Sequence, residues 1–226
     1  MFATREMKSE IWIRLAFLMT LVCIAAFAGG KPAAPQSDSD DKLGAIKQSL
    51  AQNRGVLKTY TWTETTEITL KGEVKKLEQK QVRYGPDGKV QKTTISGTSS
   101  PEQTYLERAA ALVDEYVPPD PQKIQASAAA KGMAVQSEEG LVTLTIRDYF
   151  KPGDTVALGF DPNVKQLRSY KVNSYVDKPI EDALTLDVTF GSLPDGTNYP
   201  QQTVLDVNAK KVRVKITNSE YAKTGL

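Results

Sequence analysis

Apolar and polar side chains alternate along much of this chain, and this two-residue period constrains the fold more than any other feature. In Tyr60–Leu70, Tyr60, Trp62, Ile68 and Leu70 take one parity, while threonines fill most positions of the other. Successive side chains of a β-strand point to opposite faces of the sheet. The segment is therefore predicted to be a strand with one face on a core and the other in water.

Tight turns separate further segments of the same kind. Gly85–Gly88, Lys151–Asp154 and Pro194–Gly196 are rich in the glycine, proline and aspartate that turns favour. With the first strand, the predicted strands number eight to ten, among them 74–84, 89–95, 142–150, 156–160, 167–176, 184–190, 203–207 and 211–217. Connections this short join antiparallel neighbours, so we expect one antiparallel meander.

Two stretches with helical spacing interrupt the strands. The first covers about residues 40 to 53. The second is a central insertion in which an amphipathic helix begins at Pro101 and ends before Pro118, followed by a weaker, alanine-rich helix over Pro121–Lys131. A one-sided sheet has to hide its apolar face by closing on itself, packing on a second sheet or curling over such helices.

The first 28 residues have the three parts of a cleavable secretory signal. Basic Arg5, Lys8 and Arg14 precede the apolar run Leu15–Phe27, and the small-x-small pattern Ala26-Phe27-Ala28 follows as a cleavage site. An uncleaved membrane anchor is the main alternative, although the run is shorter than the ~20 residues that span a bilayer. We therefore expect an exported, periplasmic protein.

The rest of the chain is predicted to form one domain behind a tether. Residues 29–40 are rich in proline, serine and aspartate, which is typical of a flexible segment. Residues 41–226 show no repeat and no further linker. The predicted organisation is thus a signal peptide (1–28), a tether (29–40) and a single β-rich domain (41–226).

The residue types present exclude most catalytic chemistry. The sequence has no histidine, and its one cysteine, Cys23, lies in the predicted signal. Ser-His-Asp and Cys-His catalysis is therefore excluded, as are metal sites built on imidazole or thiolate. The acidic pairs Glu138-Glu139 and Glu181-Asp182 would point to opposite faces of a strand, which favours solvated charge over a catalytic pair. We expect no enzymatic activity, no cofactor and, at a net charge of +2, no nucleic-acid partner.

Three stretches resemble the periplasmic lipoprotein-carrier family of the localisation factor A type, which sorts outer-membrane lipoproteins. They are the threonine-rich strand within Leu57–Leu70, the turn Phe160-Asp161-Pro162 followed by Leu167, and the tail Val212–Tyr221. The order of signal, helix, strands, helical insertion and closing meander is also similar. The resemblance covers most of the predicted domain and identifies the chain as a diverged relative.

The resemblance implies a mainly β (α+β) fold. A curved antiparallel meander would form an incomplete β-barrel, with the N-terminal helix and the central helical insertion as its lid. Members of this family hold acyl chains in an apolar interior. In this chain the wall would be formed by Tyr60, Trp62, Ile68, Leu144, Ile146, Leu158 and Phe160. The lid would be formed by Leu112, Val113 and Tyr116. Arg147 and Arg168 are the candidates for the arginine that the family carries in its barrel.

Three functions remain open at this point. We expect a monomer that binds a lipid or the acyl chain of a lipoprotein without catalysis. The alternative is an envelope scaffold or protein-interaction module with a solid core. A carboxylate-only enzyme is the third hypothesis, and it needs two acidic side chains that converge in a cleft. Sequence cannot separate the first two, because cores and apolar pockets are built from the same residue types.

Overall fold

The alternating segments of the sequence form one sheet. The computed structural model describes residues 36–99 and 104–224, which contain ten antiparallel strands and three α-helices. The predicted signal peptide and residues 29–35 of the predicted tether lie outside the described residues. Within the described ranges, the helices are all too short or too polar to cross a membrane.

Two helices come from the predicted central insertion and one from the N-terminal part of the chain. They are α1 (Gln36–Leu57), α2 (Thr104–Tyr116) and α3 (Pro121–Lys131). The strands are β1 (Tyr60–Leu70), β2 (Glu73–Tyr84), β3 (Val90–Ser99), β4 (Met133–Glu138), β5 (Leu141–Arg147), β6 (Thr155–Asp161), β7 (Gln166–Tyr175), β8 (Ala183–Ser192), β9 (Asn198–Val207) and β10 (Val212–Lys223).

The strand order is β3-β2-β1-β10-β9-β8-β7-β6-β5-β4. Neighbours in the sheet are neighbours in the chain except for β1 and β10, which pair from Tyr60 opposite Lys223 to Leu70 opposite Val212. Helices α2 and α3 connect the two edge strands, β3 and β4. The predicted mainly β fold is confirmed: an open antiparallel sheet, not a closed barrel, with an N-terminal helix and a central helical insertion.

Two-residue turns join several of the strands. Lys71 and Gly72, between β1 and β2, have φ values of 54° and 84°. Glu139 and Gly140, between β4 and β5, have 50° and 79°. Positive φ at both central positions is the geometry of the type I′ turn, whose twist matches that of a hairpin. Glycine at the second position of each turn adopts this conformation without the strain that a Cβ would bring.

The alternation places the core on one face of the sheet. In β8 the buried residues Leu184, Leu186 and Val188 alternate with exposed Thr185 and Asp187. Apolar side chains of the three helices pack against this face, among them Ile46, Leu106, Leu112 and Ile124. We call this continuous cluster the main core. Because the helices cover the apolar face, the sheet does not need to close into a barrel to hide that face from water.

Several boundaries differ from those predicted. α1 begins at Gln36, so residues 36–40, predicted as the end of the tether, are helical. Strand β4 was not predicted, because it is an edge strand with only half-buried Met133 and Val135 against the main core and a largely polar sequence. The bounds predicted for α3 are confirmed. Asp120 caps this helix by accepting hydrogen bonds from the backbone N–H groups of Gln122 at 2.7 Å and Lys123 at 3.3 Å.

Candidate ligand-binding site

Eight of the ten predicted wall and lid residues lie in the main core. Their side chains are no more than 7% exposed, and they pack against one another and against helix residues: Val113, Ile68, Leu112, Tyr116, Leu144, Ile146, Leu158 and Phe160. Seven of the eight, all except Val113, do not line the apolar cavity that lies between strands β1–β3 and α2. A ligand can reach these side chains only if the packing around them opens.

That cavity has a volume of about 410 Å³ and is partly open to solvent. We call it the Trp62 cavity. The sheet supplies one wall, consisting of Trp62, Val82, Val90, Ile216 and Tyr221. The opposite wall comes from Leu57 at the end of α1, from Val113 on α2, and from Val117 and Pro118 just after α2. Apolar groups from four strands and two helices thus surround a volume typical of small-molecule sites, ~300–1,000 Å³.

The cavity exists because the helices stop covering the sheet at β2. Val82 is the only buried residue of β2, whose remaining side chains are half-buried or exposed. Beside it, the inward-facing positions of β1 and β2 carry Glu64, Lys80 and Glu78 rather than aliphatic residues. This part of the sheet cannot be packed like the main core, because buried charges need partners and water. An apolar pocket therefore remains between the aromatic end of β1 and the end of α2.

Aromatic rings form the floor of the Trp62 cavity. The rings of Trp62 and Tyr221 are stacked, with centroids 5.5 Å apart and planes 12° apart, and Tyr84 lies 5.9 Å from Trp62. Tyr199 extends the cluster, 4.4 Å from Tyr221. Burial raises the pKa of the Tyr84 and Tyr221 hydroxyls above their ordinary value, so both stay neutral at physiological pH. The floor is therefore uncharged and rigid, which suits contact with an aliphatic chain.

One ion-paired group interrupts the apolar lining. The Lys92 ammonium lies 2.9 Å from Glu64 Oε2 and 2.8 Å from Asp114 Oδ1. Burial acts to lower the pKa of Lys92, but the carboxylates of Glu64 and Asp114 outweigh it and raise that pKa. The lysine is therefore held in its charged form between the sheet and α2. This group closes one side of the cavity and ties the helix to β1 and β3.

Of the predicted contact residues, Trp62 lines the cavity and Tyr60 lies behind it. Tyr60 packs with Leu57 and Leu193 in a second small cluster, separate from the main core. Its hydroxyl donates a hydrogen bond to Asp195 Oδ2 at 2.6 Å, and this carboxylate raises the pKa of Tyr60. Val113, predicted for the lid, does line the cavity.

Neither candidate for a barrel arginine is at the cavity. Arg147 is exposed at the end of β5, and Arg168 is exposed on β7, where it pairs with Asp161 at 3.2 Å. Both side chains belong to the outward face of the sheet, as their parity relative to Ile146 and Leu167 requires. An arginine in a closed interior is therefore not assigned at either position.

The sequence contains a signal for the Trp62 cavity that alternation alone does not reveal. Glu64 has the same parity as Trp62, so it had to face inward on β1. A carboxylate on the buried face of a strand requires a partner. Lys92 on β3 lies opposite Val82, the buried residue of β2, so it faces the same side of the sheet as Glu64. The contributions of Val90, Ile216 and Tyr221 depend on long-range pairing, which no local pattern reveals.

Comparisons with known proteins show similarity of fold. No protein-family model matches the sequence, and no curated protein matches it. A DUF1329 family protein from Desulfovibrio piger superimposes with a TM-score of 0.50 at 13% identity, covering 81% of this chain and 94% of the other. At this identity the similarity establishes the fold alone.

Two further solved structures match over similar lengths. A LolA superfamily protein from Nitrosomonas europaea has a TM-score of 0.41 at 10% identity and covers 81% of this chain and 94% of its own. A putative outer membrane lipoprotein-sorting protein domain from Vibrio parahaemolyticus has a TM-score of 0.39 at 12% identity, covering 78% and 92%.

Proposed function

We propose that this protein is exported to the periplasm and binds the acyl chain of a lipid or of an acylated lipoprotein in the Trp62 cavity, without catalysis. The observation that carries the proposal is the cavity itself: about 410 Å³ walled by Trp62, Val113, Ile216 and other apolar side chains. The fold shared with the DUF1329 family protein is compatible with it. Export rests on the N-terminal sequence, which lies outside the described residues.

Burial of methylene groups supplies the binding energy. Each methylene removed from water contributes about 0.8 kcal/mol, so eight of them contribute roughly 6 kcal/mol before the cost of ordering the ligand is subtracted. The stacked Trp62 and Tyr221 rings are already held in place by packing, so the protein loses little conformational entropy on binding. An acyl chain matches this site better than a polar metabolite, because Lys92 is already neutralised by Glu64 and Asp114.

Native mass spectrometry tests the proposal. The protein is expressed in a membrane-bearing host, purified without detergent and compared with the variant Val113→Phe, which adds bulk at the cavity wall. The matched control is Val164→Phe, at a position 49% exposed in the β6–β7 turn. We expect an adduct of lipid mass on the parent protein and on the control, and its loss on Val113→Phe. A parent protein that stays free of lipid after incubation with phospholipid vesicles would falsify the proposal.

A solid-cored envelope scaffold is the second candidate. The main core supports it, since seven of the residues predicted for the wall and the lid are packed there away from the cavity. The two sheet edges, β3 and β4, also support it, because each lacks a neighbouring strand on one side. An extended segment of another protein can add to such an edge through backbone hydrogen bonds. In that case Val113→Phe would leave every interaction unchanged, whereas a proline in β3 would abolish partner binding.

A further inference from the structure

A second, polar cavity lies beside the Trp62 cavity. This second space has a volume of about 300 Å³, and both cavities are lined by Tyr84, Val90, Asp114 and Pro118. We call it the vestibule. Its other walls come from Arg54 on α1, the β2–β3 turn and the segment from α2 to α3, through Gly88, Lys89, Glu115, Asp120 and Lys123. An apolar cavity and a charged cavity that share four lining residues provide the two environments that an amphiphile requires.

The acidic groups of the vestibule are already engaged. Asp114 is paired with Lys92 at 2.8 Å, and Glu115 with Lys123 at 3.3 Å. Asp120 accepts the backbone N–H groups at the start of α3. Asp87, in the adjoining turn, accepts the backbone N–H of Lys89 at 3.0 Å. None of these carboxylates requires a cation from a ligand.

Two basic groups of the vestibule have no carboxylate partner among the described residues. Arg54 forms no ion pair there, and its guanidinium partly opposes the rise in the pKa of Tyr84 that burial causes. Lys89 is exposed in the β2–β3 turn and also forms no ion pair with a described residue. The ammonium of Lys58 lies against Gly88 of the same turn. Arg54, Lys89 and Lys58 thus stand against two carboxylates that have no ion-pair partner among the described residues, Asp120 and Asp87, which leaves an excess of one positive charge around the vestibule.

We infer that the vestibule binds the anionic head group, phosphate or carboxylate, of an amphiphile whose acyl chain occupies the Trp62 cavity. The inference rests on the proposed function. A guanidinium offers parallel N–H donors that match two oxygens of such an anion, and a lysine ammonium adds a mobile charge. Tyr84 and Pro118 line both spaces, so they would contact the ligand where the chain meets the head group.

Matched twelve-carbon ligands test the inference. The full chain with Trp12→Phe keeps Trp62 as its only tryptophan, so fluorescence reports binding at the cavity. Dodecyl phosphate, dodecanol and inorganic phosphate are titrated into this protein and into its Arg54→Gln, Lys89→Gln and Lys215→Gln variants. Lys215 lies on the outward face of β10, away from both cavities. Lys215→Gln serves as the control, because it removes the same charge as the other two variants.

We expect dodecyl phosphate to bind at least about tenfold more tightly than dodecanol, as charge-assisted hydrogen bonds provide. This difference should shrink in Arg54→Gln and in Lys89→Gln, stay intact in Lys215→Gln, and weaken with added salt. Equal affinity for dodecanol and dodecyl phosphate overturns the inference and leaves the acyl-chain proposal standing. Inorganic phosphate that binds as tightly as dodecyl phosphate overturns it in favour of a free-phosphate site. No binding of either twelve-carbon ligand overturns both.

Discussion

Lys92 on β3 and Asp114 on α2 form an ion pair 2.8 Å long that joins the sheet to the central helix at the edge of the Trp62 cavity. The same ammonium contacts Glu64 on β1, whose side chain is only 9% exposed, whereas that of Asp114 is 63% exposed. The two carboxylates therefore depend on the lysine to different degrees.

Replacing Lys92 should cost more stability than replacing Asp114. Lys92→Met leaves the Glu64 carboxylate nearly buried without a partner, and we expect a loss of about 2–3 kcal/mol in the free energy of unfolding. Asp114→Asn removes a largely exposed partner and should cost under about 1 kcal/mol. Urea denaturation of both variants measures the difference. Equal losses would show that Glu64 is stabilised by other means.

Leu144→Asp should prevent folding. Leu144 is 1% exposed and lies between Val135 and Leu158 on the neighbouring strands, so an aspartate there would be a buried charge without a partner. Leu141→Asp, in the same strand at 37% exposure, should fold normally and is the control. Circular dichroism and yield of soluble protein report the outcome. A folded Leu144→Asp protein that had lost only its lipid would place the ligand in the main core, as the sequence predicted.

Asp154 should be a key residue for stability. It is fully buried and accepts hydrogen bonds from the backbone of Tyr149, Phe150 and Lys151 and from the Tyr116 hydroxyl at 2.6 Å. Asp154→Asn places an amide among these donors, and we expect a loss of roughly 2–4 kcal/mol.

Tyr116→Phe is the matched comparison for that prediction. It removes the hydroxyl that bonds to Asp154 and to Ser174 but leaves the backbone bonds to Asp154 in place, so it should cost about 1–2 kcal/mol. Thermal and urea denaturation measure both variants. If Tyr116→Phe destabilised the protein as much as Asp154→Asn, the link to α2 rather than the loop would be the main function of the carboxylate.

Stability should fall at alkaline pH. Burial raises the pKa of Tyr149 to about 12, and burial together with the nearby Asp182 raises that of Tyr105 to about 12. The folded protein thus keeps these phenols protonated at pH values above their ordinary pKa of 10.0. Their contribution to stability is complete below pH 10 and is lost between pH 10 and 12, because the unfolded chain ionises first.

Denaturation midpoints measured from pH 8 to 12 check the alkaline prediction. Tyr105→Phe and Tyr149→Phe should each reduce the fall of the denaturation midpoint with pH above pH 10, although both variants lose some stability at neutral pH. A midpoint that stays constant from pH 10 to 12 would contradict the assigned burial of these hydroxyls.

The architecture was more predictable than the site, and individual residues show why. The parity of Trp62 and Ile68 defines the buried face of β1, and the turn residues define where strands end, so local patterns were enough for most of the fold. The site depends on which buried face lacks a covering helix. Trp62 and Leu144 both lie on the apolar parity of an alternating strand. Leu144 is packed in the main core, whereas a cavity separates Trp62 from the helix residues opposite it, and this difference is a result of long-range packing.

The pairing of β1 with β10 has a consequence for the order in which the chain can fold. Strands β1–β3 and β4–β9 form two separate half-sheets until Val212–Lys223 is available to join them. Because β10 follows the other nine described strands in the chain, both half-sheets can form during synthesis before the strand that joins them exists.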